Sequence, residues 1–422
     1  MNKGGLGAAS AWLLMASAVS AGSMVLFHSF LSRRLGSDYA QVVALNGVLN
    51  VLGSVTLGLN TYLVKAFSAD AELKGPGAVK GRLLLLLKPG LLTLGAMTLL
   101  LLLASPLVAA YLKLPSVNLV LIVDVLFVSG VVMLVYRAAQ QGLHHFGWYG
   151  GSLAGEGLAR LGLVASPWTS TVAGGLLSLL AGQVVGIGCA ILGLLGLGQA
   201  RRPMQRPNGE DGLRHGLVEG GGDTVALVLL ALISYMDVLV LKHHYSDDRA
   251  GLYSRAALLA KSFLYLPAAL NTILLAAAAR ELAGGRDPRR LLERFLLGAL
   301  VLDLAGLAVV WAATPFCLYV LAGPDPRFQT PEMLSLTRWF SVAVLPLGLL
   351  QMVVVYLLAI RRRGVALGMG VLSGVYLVAL QAVWNSETAV VAALGACSAA
   401  GLAWALWSAL AHPPRPDAWA HT

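Results

Sequence analysis

The sequence predicts an all-α integral membrane protein. It has about twelve transmembrane helices in two six-helix halves, related by a pseudo-two-fold axis along the membrane normal, with a central cavity between them. Three observations predict this. Hydrophobic residues make up 58% of the 422 and charged residues only 12%, more apolar surface than a soluble domain can bury, so the solvent is lipid. Apolar runs of roughly 20 residues, the length that crosses a bilayer, recur along the whole chain. The chain also repeats itself at half its length: Leu59-Asn60-Thr61-Tyr62-Leu63-Val64 returns as Leu270-Asn271-Thr272-Ile273-Leu274-Leu275, a shift of 211. Polar turns precede both copies, Gly36 to Ala40 and Ser246 to Ala250, at a shift of 210.

In chain order the apolar runs fall at about 9–31, 40–64, 86–111, 117–138, 148–168, 172–198, 222–242, 251–279, 295–320, 334–359, 364–383 and 388–410. The first, with Lys3 before it and Val19-Ser20-Ala21 within it, has features of a cleavable signal peptide. Its apolar run continues to Leu31, long enough to span, and the second half carries a counterpart, so it is read as a retained span. The six runs in 1–198 form one bundle and the six in 222–410 the other. Residues 199–221, with Pro203, Pro207 and mixed charge, form a cytoplasmic linker, and 411–422 a cytoplasmic tail. An even number of spans per half gives both halves the same orientation. With the N-terminus inside, twenty Lys and Arg fall in inner segments and six in outer ones, which places both termini in the cytoplasm.

The net charge of +10 reflects these basic loops, not nucleic-acid binding. Cys189, Cys317 and Cys397 all lie in apolar runs, and their odd number gives neither a disulfide framework nor a metal spacing. The sequence carries no nucleotide-binding loop, metal cluster or nucleophile–base pair, so no cofactor and no enzymatic activity are expected, and an ion gradient or product removal supplies the energy.

Several ionisable residues lie within the spans, among them Asp124, Glu156, Arg160, Asp237, Arg255, Lys261, Asp303 and Arg338. Each costs on the order of 2.5–3.5 kcal/mol at the bilayer centre, so they face a wet cavity or one another. Ser254, Lys261, Tyr265 and Thr272 fall on one helical face, a polar stripe down the eighth span. Asn50, Ser54 and Thr61 of the second span match Lys261, Tyr265 and Thr272 at the shift of 211. The Ser, Thr and Asn positions suit either a cavity wall or hydrogen bonds that hold the bundle together. Lys261 favours the cavity, since a lone ammonium makes poor glue. Arg255 either shares the cavity or extends to the interface. Ser152, Glu156 and Arg160 are spaced i, i+4, i+8, so Glu156 and Arg160 either neutralise each other or leave the Arg to an anionic ligand. Asp237, Glu156, Asp124 and Asp303 are candidates for proton or sodium coupling; the alternative is a neutral Asp packed against a polar neighbour. Arg338 reads as an interfacial anchor. Pro267 and Pro346 should kink their helices.

Four stretches carry a family resemblance: Ser32-Arg33-Arg34-Leu35-Gly36-Ser37-Asp38-Tyr39-Ala40; Tyr136 to Leu143 with His145-Phe146, followed by Glu156 and Arg160; Tyr235-Met236-Asp237-Val238-Leu239-Val240-Leu241-Lys242; and Ala250 to Ala256 running into Leu264-Tyr265-Leu266-Pro267. In this order and spacing the chain resembles a polysaccharide flippase of the multidrug/oligosaccharidyl-lipid/polysaccharide exporter superfamily. The resemblance implies transport of an undecaprenyl-pyrophosphate-linked oligosaccharide for exopolysaccharide, capsule or O-antigen (lipopolysaccharide) synthesis. It implies membrane lipids and the lipid-linked oligosaccharide as partners, with the pathway's glycosyltransferases and polymerase alongside. Lys261 and Arg160, then Arg255, would meet the phosphates. The chain departs from related lipid II flippases in having twelve spans instead of fourteen and fewer cations toward the first span. Rival readings are a cation-coupled drug or metabolite antiporter of the same superfamily, a membrane glycan polymerase or ligase, and a secretion scaffold. The antiporter would want a carboxylate-dominated cavity, and the polymerase a large outer loop. Lys261→Ala is expected to abolish transport and leave expression intact.

Overall fold

The computed structural model describes residues 3–195, 209–264, 286–360 and 364–411, together with residues 270, 271, 274, 275, 278, 281 and 362. Side chains of 3–11 and 209–220, and of single positions such as Thr61 and Lys65, fall outside the description. So do Tyr265, Pro267 and Thr272 altogether.

Among the described residues twelve α-helices follow one another: α1 (Lys3–Leu35), α2 (Tyr39–Lys74), α3 (Pro76–Tyr111), α4 (Asn118–Gly142), α5 (Phe146–Val164), α6 (Val172–Leu195), α7 (Gly209–His244), α8 (Asp247–Lys261), α9 (Arg289–Ala322), α10 (Pro331–Ala359), α11 (Val365–Val383) and α12 (Glu387–Ala411). Each satisfies its own backbone polar groups, as lipid requires. Among the described residues, nine stretches are long and apolar enough to cross a membrane, the first of them running through both α1 and α2. The two helices left out are α5 and α8. These two carry Glu156 with Arg160 and Arg255 with Lys261, four of the buried charges.

The chain divides into two compact units, Met1–Thr224 and Val225–Thr422, with the boundary inside α7. Residues 209–221, expected in the linker, are the first turns of α7. In the first unit α5 packs against α6 and α1, and α4 against α2 and α6. Glycine makes the α5 contacts possible. A Cβ at Gly182 of α6 would stand 2.9 Å from the Glu156 carbonyl oxygen, and one at Gly157 would stand 3.1 Å from Ser20 and Ser23 of α1. Small residues let backbones approach where lipid gives no hydrophobic drive. The α3 leucines 84, 85, 92, 99, 100, 103 and 107 are exposed, a surface suited to acyl chains.

In the second unit α10 is the centre, packed by α8, α9 and α12. Its most apolar window is 61% buried, against 17% for α9 on the perimeter. α9 breaks at Ala313 (φ −126°, ψ 30°), two residues before Pro315, where the proline removes a helical hydrogen bond. Pro346 lies within the continuous helix Pro331–Ala359, and the kink falls at a proline whose role the sequence did not signal.

Ion pairs fix the turns. Gly75, at φ 87°, lets α2 give way to α3 within one residue, and Asp70 pairs with Arg82 across that turn. In the second unit Glu281, 211 residues after Asp70, pairs with Arg286 at 2.5 Å. At the opposite end of the first unit Arg34 donates to the carbonyls of Val164 (2.8 Å), Ala165 (2.9 Å) and Ser166 (2.5 Å) and to Thr169 Oγ1 (2.6 Å). A guanidinium there satisfies the orphan carbonyls of α5 and complements its dipole. In the second unit the turn before α8 is tied likewise: Lys242 to Asp247 at 2.5 Å, Arg249 to Glu387 at 2.7 Å, and Arg327 to Asp248 at 2.9 Å and Asp325 at 2.7 Å.

Candidate functional site

Among the described residues, each unit holds a buried ion-paired cluster within its helices. In the first unit Glu156, one turn before Arg160 on α5, lies between two arginines. Arg160 Nη2 pairs with its Oε1, and Arg137 Nη2 of α4 donates to its Oε2 at 2.9 Å. Arg137 is held by Ser152, through Nε to the hydroxyl at 2.9 Å and Nη2 to the carbonyl at 3.0 Å. Ser152 in turn donates to the Gly186 carbonyl at 2.8 Å. Gly186 is where α6 comes close: a Cβ there would meet Glu156 Cβ at 3.2 Å and Arg137 Nη2 at 3.3 Å. Two guanidinium groups share one carboxylate, so one positive charge is left over.

The surplus sits on Arg160. Its Nη1 donates to the Met24 sulfur at 2.9 Å, a weak acceptor, and its buried Nε has no partner among the described residues. The sequence left open whether Glu156 fully neutralises Arg160, and the geometry answers that it does not. Arg137 escaped notice because it reads as a loop cation where the apolar run ends. The helix continues past it to Gly142. His28 was also missed: it is buried on α1, one turn from Met24, with Nδ1 at 3.2 Å from the Tyr39 hydroxyl and close enough to Arg160 to feel its charge.

In the second unit Lys261, the last residue of α8, donates from Nζ to both oxygens of Asp237 on α7, at 2.6 and 2.8 Å. Tyr253, also on α8, donates its hydroxyl to Asp237 Oδ2 at 2.8 Å. Asp237 is fully buried. The Lys261 ammonium also lies 5.8 Å from the Tyr235 ring centre and 5.6 Å from that of Phe340, at the outer edge of cation–π range. The ammonium that the sequence presented as lone therefore has a dedicated counter-ion. Two candidates assigned to different roles, Lys261 for phosphate and Asp237 for coupling, form one neutral pair. A cation and a carboxylate 24 positions apart on separate helices carry no sequence signal of contact. Tyr253 was visible only as part of the motif around Ser254.

The remaining candidates are placed apart from these pairs. Arg255 donates to the Gly251 carbonyl at 3.0 Å and stacks over Phe328 at 4.8 Å. Ser254 is buried on α8. Ser54 donates back to Val51 O at 2.6 Å within α2, and Asn50 is half-buried on the same helix. Thr61's side chain, Tyr265 and Thr272 lie outside the described residues. Asp124 accepts from Ser105 Oγ of α3 at 2.9 Å. Asp303 is buried with neither oxygen partnered among the described residues, and packs against α10 where Gly348 leaves room. Arg338 donates from Nε to Thr314 Oγ1 at 3.0 Å, beside the exposed Trp311 and Trp339. Among the described residues no three His, Cys, Asp or Glu side chains gather to hold a metal.

No protein-family model matches the sequence, and no characterised protein is similar to it in sequence. Solved structures are similar along nearly the whole chain. An inward-facing multidrug resistance MATE family transporter of the MOP superfamily aligns with a TM-score of 0.72 at 13% identity, over 95% of this chain and 98% of its own. The lipid II flippase MurJ, in an inward closed conformation, gives 0.67 at 12% identity over 95% and 87%. A MOP superfamily transporter from Pyrococcus furiosus, reported for the reverse polarity of its binding pocket, gives 0.67 at 13% identity over 95% and 94%. The chain has the two-lobed MOP fold. Within the MOP fold, this chain places its buried ion pairs on α4 and α5 of the first unit and on α7 and α8 of the second.

Proposed function

We propose that this protein is an alternating-access transporter that flips an undecaprenyl-pyrophosphate-linked oligosaccharide across the bacterial cytoplasmic membrane, for exopolysaccharide, capsule or O-antigen synthesis. Both termini then lie in the cytoplasm. The observation that carries the reading is the surplus cation of the first-unit cluster. Arg137 and Arg160 share the single carboxylate of Glu156, and Arg160 keeps donors without strong acceptors. A pyrophosphate supplies the missing acceptors, and its charge-assisted bonds to guanidinium and ammonium are of the strong kind. The sugar class comes from the family resemblance, and the similarity to MurJ, a flippase of a lipid-linked precursor, supports it at the level of fold.

The Lys261–Asp237 pair gives the cycle a resting state. With no cargo, Asp237 neutralises Lys261 and the buried ammonium is tolerated. An arriving phosphate competes with Asp237 for Lys261. The displaced carboxylate, buried and without its cation, then takes up a proton or sodium ion, because an uncompensated buried charge is costly. Cargo entry and cation uptake are thereby linked through one residue. Arg160 offers a second phosphate contact that needs no displacement.

One observation favours the antiporter reading. Asp303 is a buried carboxylate without a cation, which suits a cation or proton better than a phosphate. Parallel assays of leaflet exchange and drug efflux separate the two. Exchange of a polyprenyl-pyrophosphate oligosaccharide, lost when Lys261 or Arg160 is neutralised, supports the flippase. Efflux of cationic drugs, lost with Asp303→Asn and insensitive to Lys261, supports the antiporter.

A further inference from the structure

Four buried donors without acceptors gather where α9 begins and α10 ends. The two helices are packed neighbours joined by a short connection, so they run antiparallel and these ends lie side by side. Arg289 is the first residue of α9; its Nε and Nη2 are both buried and unpartnered among the described residues. The neighbouring acid, Asp287, makes only a long ion pair with it. Its Oδ2 stands 3.9 Å from Arg289 Nε, too far for a hydrogen bond, and its Oδ1 accepts the Arg289 backbone N–H at 3.0 Å instead. Tyr356, in the last turn of α10, is fully buried with its hydroxyl unpartnered, and it is close enough to Arg289 and Asp287 to feel both charges. Arg362 follows α10 and folds back, its backbone N–H donating to Leu357 O at 2.9 Å, and its Nε is likewise buried and unpartnered.

Buried guanidinium N–H groups are rarely left without acceptors. Such donors on Arg289 and Tyr356, with Arg362 three residues past the end of α10, call for an acceptor with several oxygens and negative charge. The first turn of α9 carries the positive end of the dipole of a 34-residue helix, of which Asp287 caps a single N–H. We propose that this corner binds a phosphate group, supplied by the headgroup of an anionic membrane phospholipid. The corner lies at the end of two helices apolar enough to cross a membrane, where headgroup phosphates reside, and Arg290 in the same turn of α9 and Arg294 in the next, against the single acid Glu293, keep it cationic. The site is distinct from the Glu156 and Asp237 clusters and acts as an anchor of the second unit to one leaflet.

The test uses full-length protein in detergent, with lipid binding read by native mass spectrometry. The probes are phosphatidylglycerol, the phosphate-free diacylglycerol of the same chains, and inorganic phosphate. Wild type is expected to bind phosphatidylglycerol about tenfold more tightly than diacylglycerol, and Arg289→Gln to abolish the preference. Tyr356→Phe keeps the core volume, so it serves where the Arg variant fails to fold. It should weaken phosphatidylglycerol binding several-fold, whereas a hydroxyl with no ligand would leave binding unchanged. Equal affinity for the two lipids, or an undiminished preference in both variants, would overturn the proposal. Inorganic phosphate binding as tightly as phosphatidylglycerol would also overturn it, by assigning the corner to a soluble anion.

Discussion

Lys261 Nζ holds both carboxylate oxygens of Asp237, at 2.6 and 2.8 Å, inside a helical unit where Asp237 has no exposed surface. This relationship revises what the sequence alone predicts for Lys261→Ala. Removing a lone cation would relieve an insertion cost, but removing this one strands a buried carboxylate.

Single and double variants separate the two views. Lys261→Ala and Asp237→Asn should each destabilise the protein, by up to about 3–5 kcal/mol if the surviving charge stays ionised. The Lys261→Met, Asp237→Asn double variant should recover most of that loss. Thermal melts in detergent give the coupling through a double-mutant cycle. Additive losses would show that the pair is not an energetic unit.

The first-unit triad makes a different prediction, because its members are unequal. Glu156→Gln leaves two buried guanidinium groups without a counter-ion, whereas Arg137→Gln leaves a matched pair. The Glu156 variant should therefore be the less stable of the two, by on the order of 2 kcal/mol. Comparison of their melting temperatures at equal expression checks the order.

Arg34 should fix the end of α5 more than its position in a turn suggests. Arg34→Ala removes four donated bonds and a cation at a helix C-terminus, a loss of about 1–2 kcal/mol. Hydrogen exchange of residues 164–170 should accelerate, while α3 stays unchanged. Arg34→Lys should not restore protection, since one ammonium cannot reach three carbonyls and a hydroxyl.

The tie between Arg327 and Asp325, in the connection between α9 and α10, should resist acid. Hydrogen bonds from the Arg327 side chain hold the Asp325 carboxyl below its ordinary value of 3.8. A carboxylate with a lowered folded-state pKa stabilises above its unfolded value, and that contribution disappears only as pH falls through the lowered one. Exchange protection around 325–329 should thus persist to pH 4 and be lost in a window below 3.8. The ties are exposed, so salt should weaken them.

Much of the fold was legible because lipid imposes one rule on every span. Continuous apolar runs located the helices. The start of α7 at Gly209 was not legible, since a helix outside lipid needs no apolar run to announce it. The site was legible in its members but not in its pairings. Helical phase tells which face Lys261 occupies, yet not that Asp237 of another helix meets it. Arg137 was hidden by the opposite error, a helix continuing beyond the apolar run that defined it.

The central claim, that buried cations serve an anionic lipid-linked cargo, is tested most directly by leaflet exchange in proteoliposomes. A polyprenyl-pyrophosphate oligosaccharide would be followed for wild type, for Arg160→Gln, for the Lys261→Met, Asp237→Asn double variant, and for empty liposomes. The account predicts exchange by wild type and its loss in both variants while the protein stays folded. Exchange that persists with both cations neutralised, or no wild-type exchange under proton or sodium gradients of either sign, would contradict it.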